Sequence, residues 1–242
     1  MFKTYCGDSL KVLPKLIEEK TKVDFVFTSP PYNRLRNDKY KNYDDRKTDE
    51  EYLKFLSDFT DYSFELLGDK GFLFHNNRFT YYNSTTMYDY IGRYSKYISN
   101  IFIQVINNPQ PNDNYHKETN DYSVTNSYEV FMILNKNKLP IRGNIGYNRN
   151  VIFSNVTKNP FSEIHNATMN PKISDFFIKT FTKEGNTVLD PFMGLGTTGI
   201  SCLKMNRNFI GIELDEQYFE VSNKRLKETE TEQKNNLEFL FK

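Results

Sequence analysis

The stretch TVLDPFMGLGTTGISCLKMNRNFIGIELD, residues 187–215, leaves this chain few choices of fold. The apolar run TVLD ends at Asp190, a glycine-rich turn follows, and a helix is predicted to begin at Thr197 or Thr198. A second apolar run, NFIGIEL (208–214), then carries Glu213 near its end. Strand, turn, helix and strand in so short a span predict two parallel strands joined by a crossover helix. Gly194, Gly196 and Gly199 satisfy GxGxxG, and Glu213 lies about 20 residues beyond the first glycine. Glycines let backbone approach a ligand closely, and the first turn of a helix offers unpaired N–H groups. The acid at the second strand's end is placed to accept hydrogen bonds from a ribose diol.

That unit alone does not separate a dinucleotide from another adenosine-bearing cofactor, or from a tight turn that binds nothing. Asp190-Pro191-Phe192 weighs against a dinucleotide. A carboxylate at the mouth of the turn repels a pyrophosphate but suits a ligand carrying an ammonium group.

Further apolar runs extend the pattern. VDFVF (23–27) and GFLF (71–74) read as buried parallel strands, and IFIQVI (101–106) and YEVFMIL (128–134) as further strands. Helical periodicity lies at 8–19, where Pro14 weakens the pattern, and at 50–67, 174–181 and 216–234. Strands alternating with helices predict one α/β domain over 1–242, a Rossmann-like doubly wound, mostly parallel sheet with a crevice at the strands' C-terminal ends. Three stretches interrupt it: 33–49, a candidate mobile loop, and 107–127 and 137–164, candidate irregular insertions. The last, with the turn before it, carries Lys136, Lys138, Arg142, Arg149 and Lys158 against one acid, Glu163. The tail LEFLF (237–241) is an apolar cluster expected to pack on the core.

Composition mostly excludes. The formal net charge of +1 gives no whole-molecule attraction to a polyanion, so any nucleic-acid face has to be local. Two cysteines far apart, Cys6 and Cys202, fit no metal spacing and predict a reduced, cytoplasmic chain. No run approaches a membrane span, and no metal is called for.

The early segment FTSPPYN (27–33) is an odd exit from a strand. Pro30 and Pro31 have no N–H, so the corner offers carbonyl acceptors with little competing donor capacity. Ser29 adds a hydroxyl and Tyr32 a flat face. Acceptors beside a stacking platform are what the exocyclic amine of a nucleobase would meet. Its lone pair is delocalised into the ring, and hydrogen bonds from both N–H groups favour a pyramidal, nucleophilic nitrogen.

Here the chain resembles the amino-methylating, S-adenosylmethionine-dependent DNA methyltransferases. FTSPPYN is similar to their (D/N/S)PP(Y/F) catalytic motif, and VLDPFMGLGTTGISC to their cofactor motif. The catalytic motif precedes the cofactor motif, which resembles the permuted β group. YCGDSL (5–10), KGFLFHNN (70–77), SYEVFMILNK (127–136) and HNATMNPKISDFFIKTF (165–181) resemble further segments of that group, with Asn166 where proline is usual and Ile173 near the usual leucine.

The resemblance implies a catalytic set of Ser29, Pro30, Pro31 and Tyr32. It implies S-adenosylmethionine contacts at Asp8, Thr28, His165, Asp190, Pro191, Phe192, Gly194, Gly196, Thr197, Glu213 and Leu214. Asp8 is equally suited to cap the first helix, and His165 to a structural role. The five basic residues are the expected DNA contacts, with double-stranded DNA as partner. Serine in the first catalytic position favours the cytosine 4-amino group, with the adenine 6-amino group as alternative. A homodimer and a paired restriction endonuclease are further expectations of the resemblance. A NAD-dependent oxidoreductase would leave SPPY idle, and a non-catalytic DNA-binding relic would not need SPPY and DPF intact.

Overall fold

Alternation along the central strands sorts the core into two layers. Val26, Leu73, Leu189 and Ile212 face one side, while Phe25, Phe27, Phe74, Val188 and Phe209 face the other. A sheet apolar on both faces has to be covered on both, and the helices do so. The computed structural model describes residues 1–33, 46–79, 83–107, 127–143, 149–155 and 169–240.

In chain order the elements are β1 (Phe2–Cys6), α1 (Ser9–Glu18), β2 (Val23–Thr28), α2 (Asp49–Leu66), β3 (Leu67–Asn77), α3 (Ser84–Tyr94), β4 (Ile98–Ile106), β5 (Tyr128–Leu134), β6 (Val151–Ser154), α4 (Pro171–Phe181), β7 (Thr187–Asp190), α5 (Thr197–Lys204), β8 (Asn208–Glu213) and α6 (Glu216–Leu240). The eight strands form one sheet in the order β1-β8-β7-β2-β3-β5-β4-β6. Only β5 runs against its neighbours, pairing antiparallel with both β3 and β4. Helices α1, α2 and α3 cover one face through Leu13, Leu16, Tyr52, Leu56, Phe59, Met87 and Tyr90. Helices α4, α5 and α6 cover the other through Ile173, Phe177, Ile178, Cys202, Leu203 and Leu226. Phe177 alone meets the rings of Phe27, Phe74, Phe102 and Phe131 at 4.6–5.6 Å between centroids.

The doubly wound, mostly parallel sheet is the one expected. Strands β2, β3, β7 and β8 are the predicted parallel ones. Helix α1 runs through Pro14, because burial of Val12, Leu13 and Leu16 outweighs one missing backbone hydrogen bond.

Three elements go beyond the predicted set. Strand β1 is a half-exposed edge, with Lys3 and Thr4 diluting its apolar signal. Helix α3, STTMYDYIGRY, is built of poor helix formers and held by buried Thr86, Met87, Tyr90 and Tyr94. Strand β6, only four residues long, lies within 137–164, so that stretch is not wholly an irregular insertion. Residues 144–148 and 156–164 of that stretch, most of 33–49 and of 107–127, and the apolar side chains of 237–241 lie outside the described residues.

Candidate active site

Chain order determines where a ligand can sit. From β2 the next strand, β3, lies to one side, while from β7 the chain turns to β8 on the other, where β1 forms the edge. Strands β2 and β7 are neighbours, so the crevice of the sheet opens between their C-terminal ends. Those ends are Thr28 and Asp190, each followed at once by one of the two unusual turns.

A buried hydrogen bond joins them, Thr28 Oγ1 donating to Asp190 Oδ1 at 2.8 Å. Asp190 also accepts from the Phe192 N–H at 3.1 Å and, through Oδ2, from Thr198 Oγ1 at 2.7 Å. Burial pushes its carboxyl up to about 6, against the pull of these donors. Asp190 thus ties together the end of β2, the Pro191-Phe192 turn and the first turn of α5. The sequence reading had only a cofactor contact for it; Thr198 in this role was missed.

The turn into α5 is a matter of backbone. Gly194 and Gly196 adopt φ of +51° and +77°, the left-handed region that favours glycine. The Gly194 N–H donates to Glu213 Oε2 at 2.8 Å, and the Asp215 N–H to Oε1 at 2.9 Å. Burial nevertheless raises the Glu213 carboxyl to about 7. Each of its oxygens keeps a lone pair for a further donor. Thr197 begins α5, and Leu214, directly after β8, is exposed.

The YCGDSL segment closes this end. The Gly7 N–H donates to the Glu213 carbonyl at 2.7 Å, and Ser9 Oγ to the Pro191 carbonyl. Asp8 caps α1, accepting from the Leu10 N–H at 3.0 Å. Phe192 is half-buried against Phe55 and Phe59, each at 5.5 Å.

On the β2 side, Ser29 Oγ and the Tyr32 hydroxyl lie 3.3 Å apart, the length of a weak hydrogen bond. The Tyr52 hydroxyl donates to the Pro31 carbonyl at 3.2 Å. Behind it, His75 pairs in register with Thr28 and is wholly buried, its edge against Phe59. Burial pushes its imidazole down to about 3, so the ring is neutral.

Of the basic residues singled out in the sequence, Lys136, Lys138, Arg142 and Arg149 are described. Lys136 and Lys138 follow β5 at the opposite pole of the sheet, where Asn135 and Asn137 donate to the carbonyls of Gly71 and Asp69 near the start of β3. Arg149 precedes the edge strand β6, and Arg142 follows Ile141 on the α4 side. His165 and Lys158 lie outside the described residues.

Two turns, one glycine-rich with an acid on the next strand and one proline-rich, thus meet at the switch point of a doubly wound α/β sheet. The chain belongs to the N6/N4 DNA methylase family, whose profile matches residues 23–224. Among relatives, it is 26% identical over 237 residues to the type II methyltransferase M.HpaI of Haemophilus parainfluenzae, covering 91% of this chain and 73% of that one. A shorter match, 38% over 84 residues, joins it to M.Cfr9I of Citrobacter freundii and spans 35% of this chain and 28% of that one.

Solved structures share the fold. The complex of M1.HpyAVI with SAM gives a TM-score of 0.68 at 24% identity, covering 93% of this chain and all of that one. The PvuII DNA methyltransferase (cytosine-N4-specific) gives 0.72 at 17%, covering 95% and 91%.

Proposed function

We propose that this chain transfers a methyl group from S-adenosylmethionine to the exocyclic amine of a base in double-stranded DNA, with cytosine N4 favoured over adenine N6. The observation that carries this reading is the Thr28–Asp190 hydrogen bond, which sets the SPPY corner beside the DPFMGLG turn at one crevice. A site that moves a group between two ligands needs both subsites within a bond's reach of each other.

The residues present fit the cofactor. Glu213 has acceptor capacity for a ribose diol, and Gly194 and Gly196 let backbone come close beside Thr197. Asp190 and Glu213 would supply acidic groups beside the turn for a cofactor that carries cationic groups, and Phe192 brings an aromatic ring beside it. Pro191, Leu214, Asp8, Thr28 and His165 complete the proposed contacts. When bound, S-adenosylmethionine supplies an electrophilic methyl group.

The chain's own work is positioning. Ser29 Oγ and the Pro30 carbonyl accept the two N–H groups of the amine and so favour a pyramidal nitrogen. Tyr32 stacks on the base, which has to leave the duplex to arrive there. Serine rather than aspartate at the first position underlies the preference for cytosine. Segments 107–127 and 137–164 are the proposed readers of DNA sequence. Pairing with a restriction endonuclease accords with the type II names of the relatives.

The test is incubation with unmethylated DNA and methyl-labelled S-adenosylmethionine, then digestion to nucleosides and mass analysis. Labelled N4-methylcytosine is the expected product. N6-methyladenine would keep the mechanism and overturn the base. No labelled nucleoside across varied DNA, with folded protein, would overturn the activity.

A further inference from the structure

The proline corner is short, half-buried, and begins where the sheet's hydrogen bonding ends, so something has to hold Tyr32 in place. Two fixings flank that residue. On one side the Tyr52 hydroxyl, on a side chain wholly buried in α2, donates to the Pro31 carbonyl at 3.2 Å. On the other, the buried Asn33 side chain engages the backbone of one distant residue twice. Its Nδ2 donates to the Lys47 carbonyl at 2.7 Å, and its Oδ1 accepts from the Lys47 N–H at 3.0 Å. An amide is the side chain that can do this, since it presents one donor and one acceptor in a plane as a peptide group does.

The base of this clasp is itself rigid. Lys47 precedes Thr48, the N-cap of α2, whose Oγ1 accepts from the Glu51 N–H at 3.2 Å while Glu51 Oε2 accepts from the Thr48 N–H at 2.9 Å. One residue on, Asp49 Oδ1 accepts from Thr86 Oγ1 of α3 at 2.8 Å.

We propose that Asn33 and Tyr52 are positioning residues for the methyl-transfer reaction, a two-sided clamp from the start of α2 that sets the backbone of Tyr32 and hence the plane on which the target base stacks. The proposal rests on the catalytic reading of the SPPY corner. Neither residue touches the reacting atoms; they remove the freedom of the one that does. Stacking geometry acts on the attack angle of the amine, so the clamp should be felt in turnover more than in cofactor binding.

The experiment uses the full chain and four variants, Ser29→Ala, Tyr52→Phe, Asn33→Asp and the double Tyr52→Phe/Asn33→Asp. Turnover, KM for DNA, Kd for S-adenosylmethionine and melting temperature are measured for each. Tyr52→Phe removes one hydroxyl and keeps the buried ring. Asn33→Asp keeps the acceptor for Lys47 N–H but sets a carboxylate against the Lys47 carbonyl.

Tyr52→Phe and Asn33→Asp should each lower kcat about tenfold, with cofactor Kd changed by less than about twofold. Because both act on one backbone segment, the double should lose roughly thirtyfold rather than the hundredfold product. Wild-type kcat in Tyr52→Phe would overturn the clamp. So would losses that multiply in the double and run parallel to weakened cofactor binding, the signature of a merely structural role. Full turnover in Ser29→Ala is a separate failure, that of the catalytic reading, and would take the clamp with it.

Discussion

The two turns that leave the crevice differ in what shapes them. The DPFMGLG turn takes its shape from its own backbone, with glycines in the left-handed region and the Gly196 N–H on the Met193 carbonyl at 2.8 Å, and side chains of Ser9, Glu213 and Arg225 then bond to its backbone groups. The SPPYN corner is held from outside, by a threonine bonded to Asp190 and by Tyr52 and Lys47 from the start of α2. A turn made of glycines carries its instructions locally. A turn made of prolines has surrendered its donors, and its geometry has to be imposed from elsewhere.

The largest expected effect tests whether the corner does chemistry at all. Ser29→Ala removes one of the two proposed acceptors for the amine, at a half-buried position whose hydroxyl lies 3.3 Å from that of Tyr32. Methyl transfer should fall by about 10²–10³, the usual cost of deleting one preorganised polar contact to a reacting group. Cofactor Kd, measured by calorimetry, should stay within error. Retained turnover would make the corner a scaffold and erase the contrast.

A second prediction strikes the glycine side. A Cβ built on Gly199 would lie 2.6 Å from the Phe209 ring and 2.7 Å from Leu226, so α5 approaches β8 only because that position is bare. Gly199→Ala should destabilise by about 1–3 kcal/mol, read as a lower melting temperature. Gly92 in α3 has nothing within 4 Å of the corresponding point. Gly92→Ala should therefore stabilise slightly, by about 0.5–1 kcal/mol. Equal shifts at the two sites would mean that Gly199 serves something other than close packing.

This difference in support explains what could be read in advance. The strands at 23–27, 128–134, 187–190 and 208–214, the glycine turn and Glu213 were legible because periodicity and glycine spacing are local signals. So was the SPPY corner as an unusual exit from a strand. Its supports were not: nothing about Asn33, Lys47 or Tyr52 in isolation says that they meet. The use of Asp190 as an internal tie was hidden for the same reason, since Thr28 is 162 residues away in sequence. The position of Lys136 and Lys138 is a similar case: the antiparallel run of β5 carries them to the pole opposite the crevice, and a reversed strand in a parallel sheet leaves no mark in its own residues.

The acid beside the glycine turn allows a pH test of intermediate size. Burial raises the Glu213 carboxyl to about 7, and a ribose diol donates best to its ionised form. Affinity for S-adenosylmethionine should therefore strengthen as pH rises through 7, by up to about tenfold per unit below it, and level off above. Stability runs the other way. Between 4.5 and 7 the folded chain holds a proton that the unfolded chain has released, so this carboxyl weakens folding as pH rises across that window. Glu213→Gln should flatten both curves. An unchanged binding profile in the variant would remove Glu213 from the cofactor site.

The smallest effect sharpens the corner's own division of labour. Tyr32 has two parts with different assignments, a ring face for stacking and a hydroxyl 3.3 Å from Ser29 Oγ. At that length the hydroxyl contact is weak, and in the reaction Ser29 has to turn to the amine instead. Tyr32→Phe should then cost less than about threefold in kcat, below 1 kcal/mol, because the ring survives. Tyr32→Ala removes the stacking platform and should cost far more, with the loss appearing in DNA binding as well as turnover. If phenylalanine proved as damaging as alanine, the hydroxyl would be the working group. The corner would then act through a second polar contact rather than through a clamped ring, and the support that Asn33 and Tyr52 give it would have to be reread as placing an oxygen.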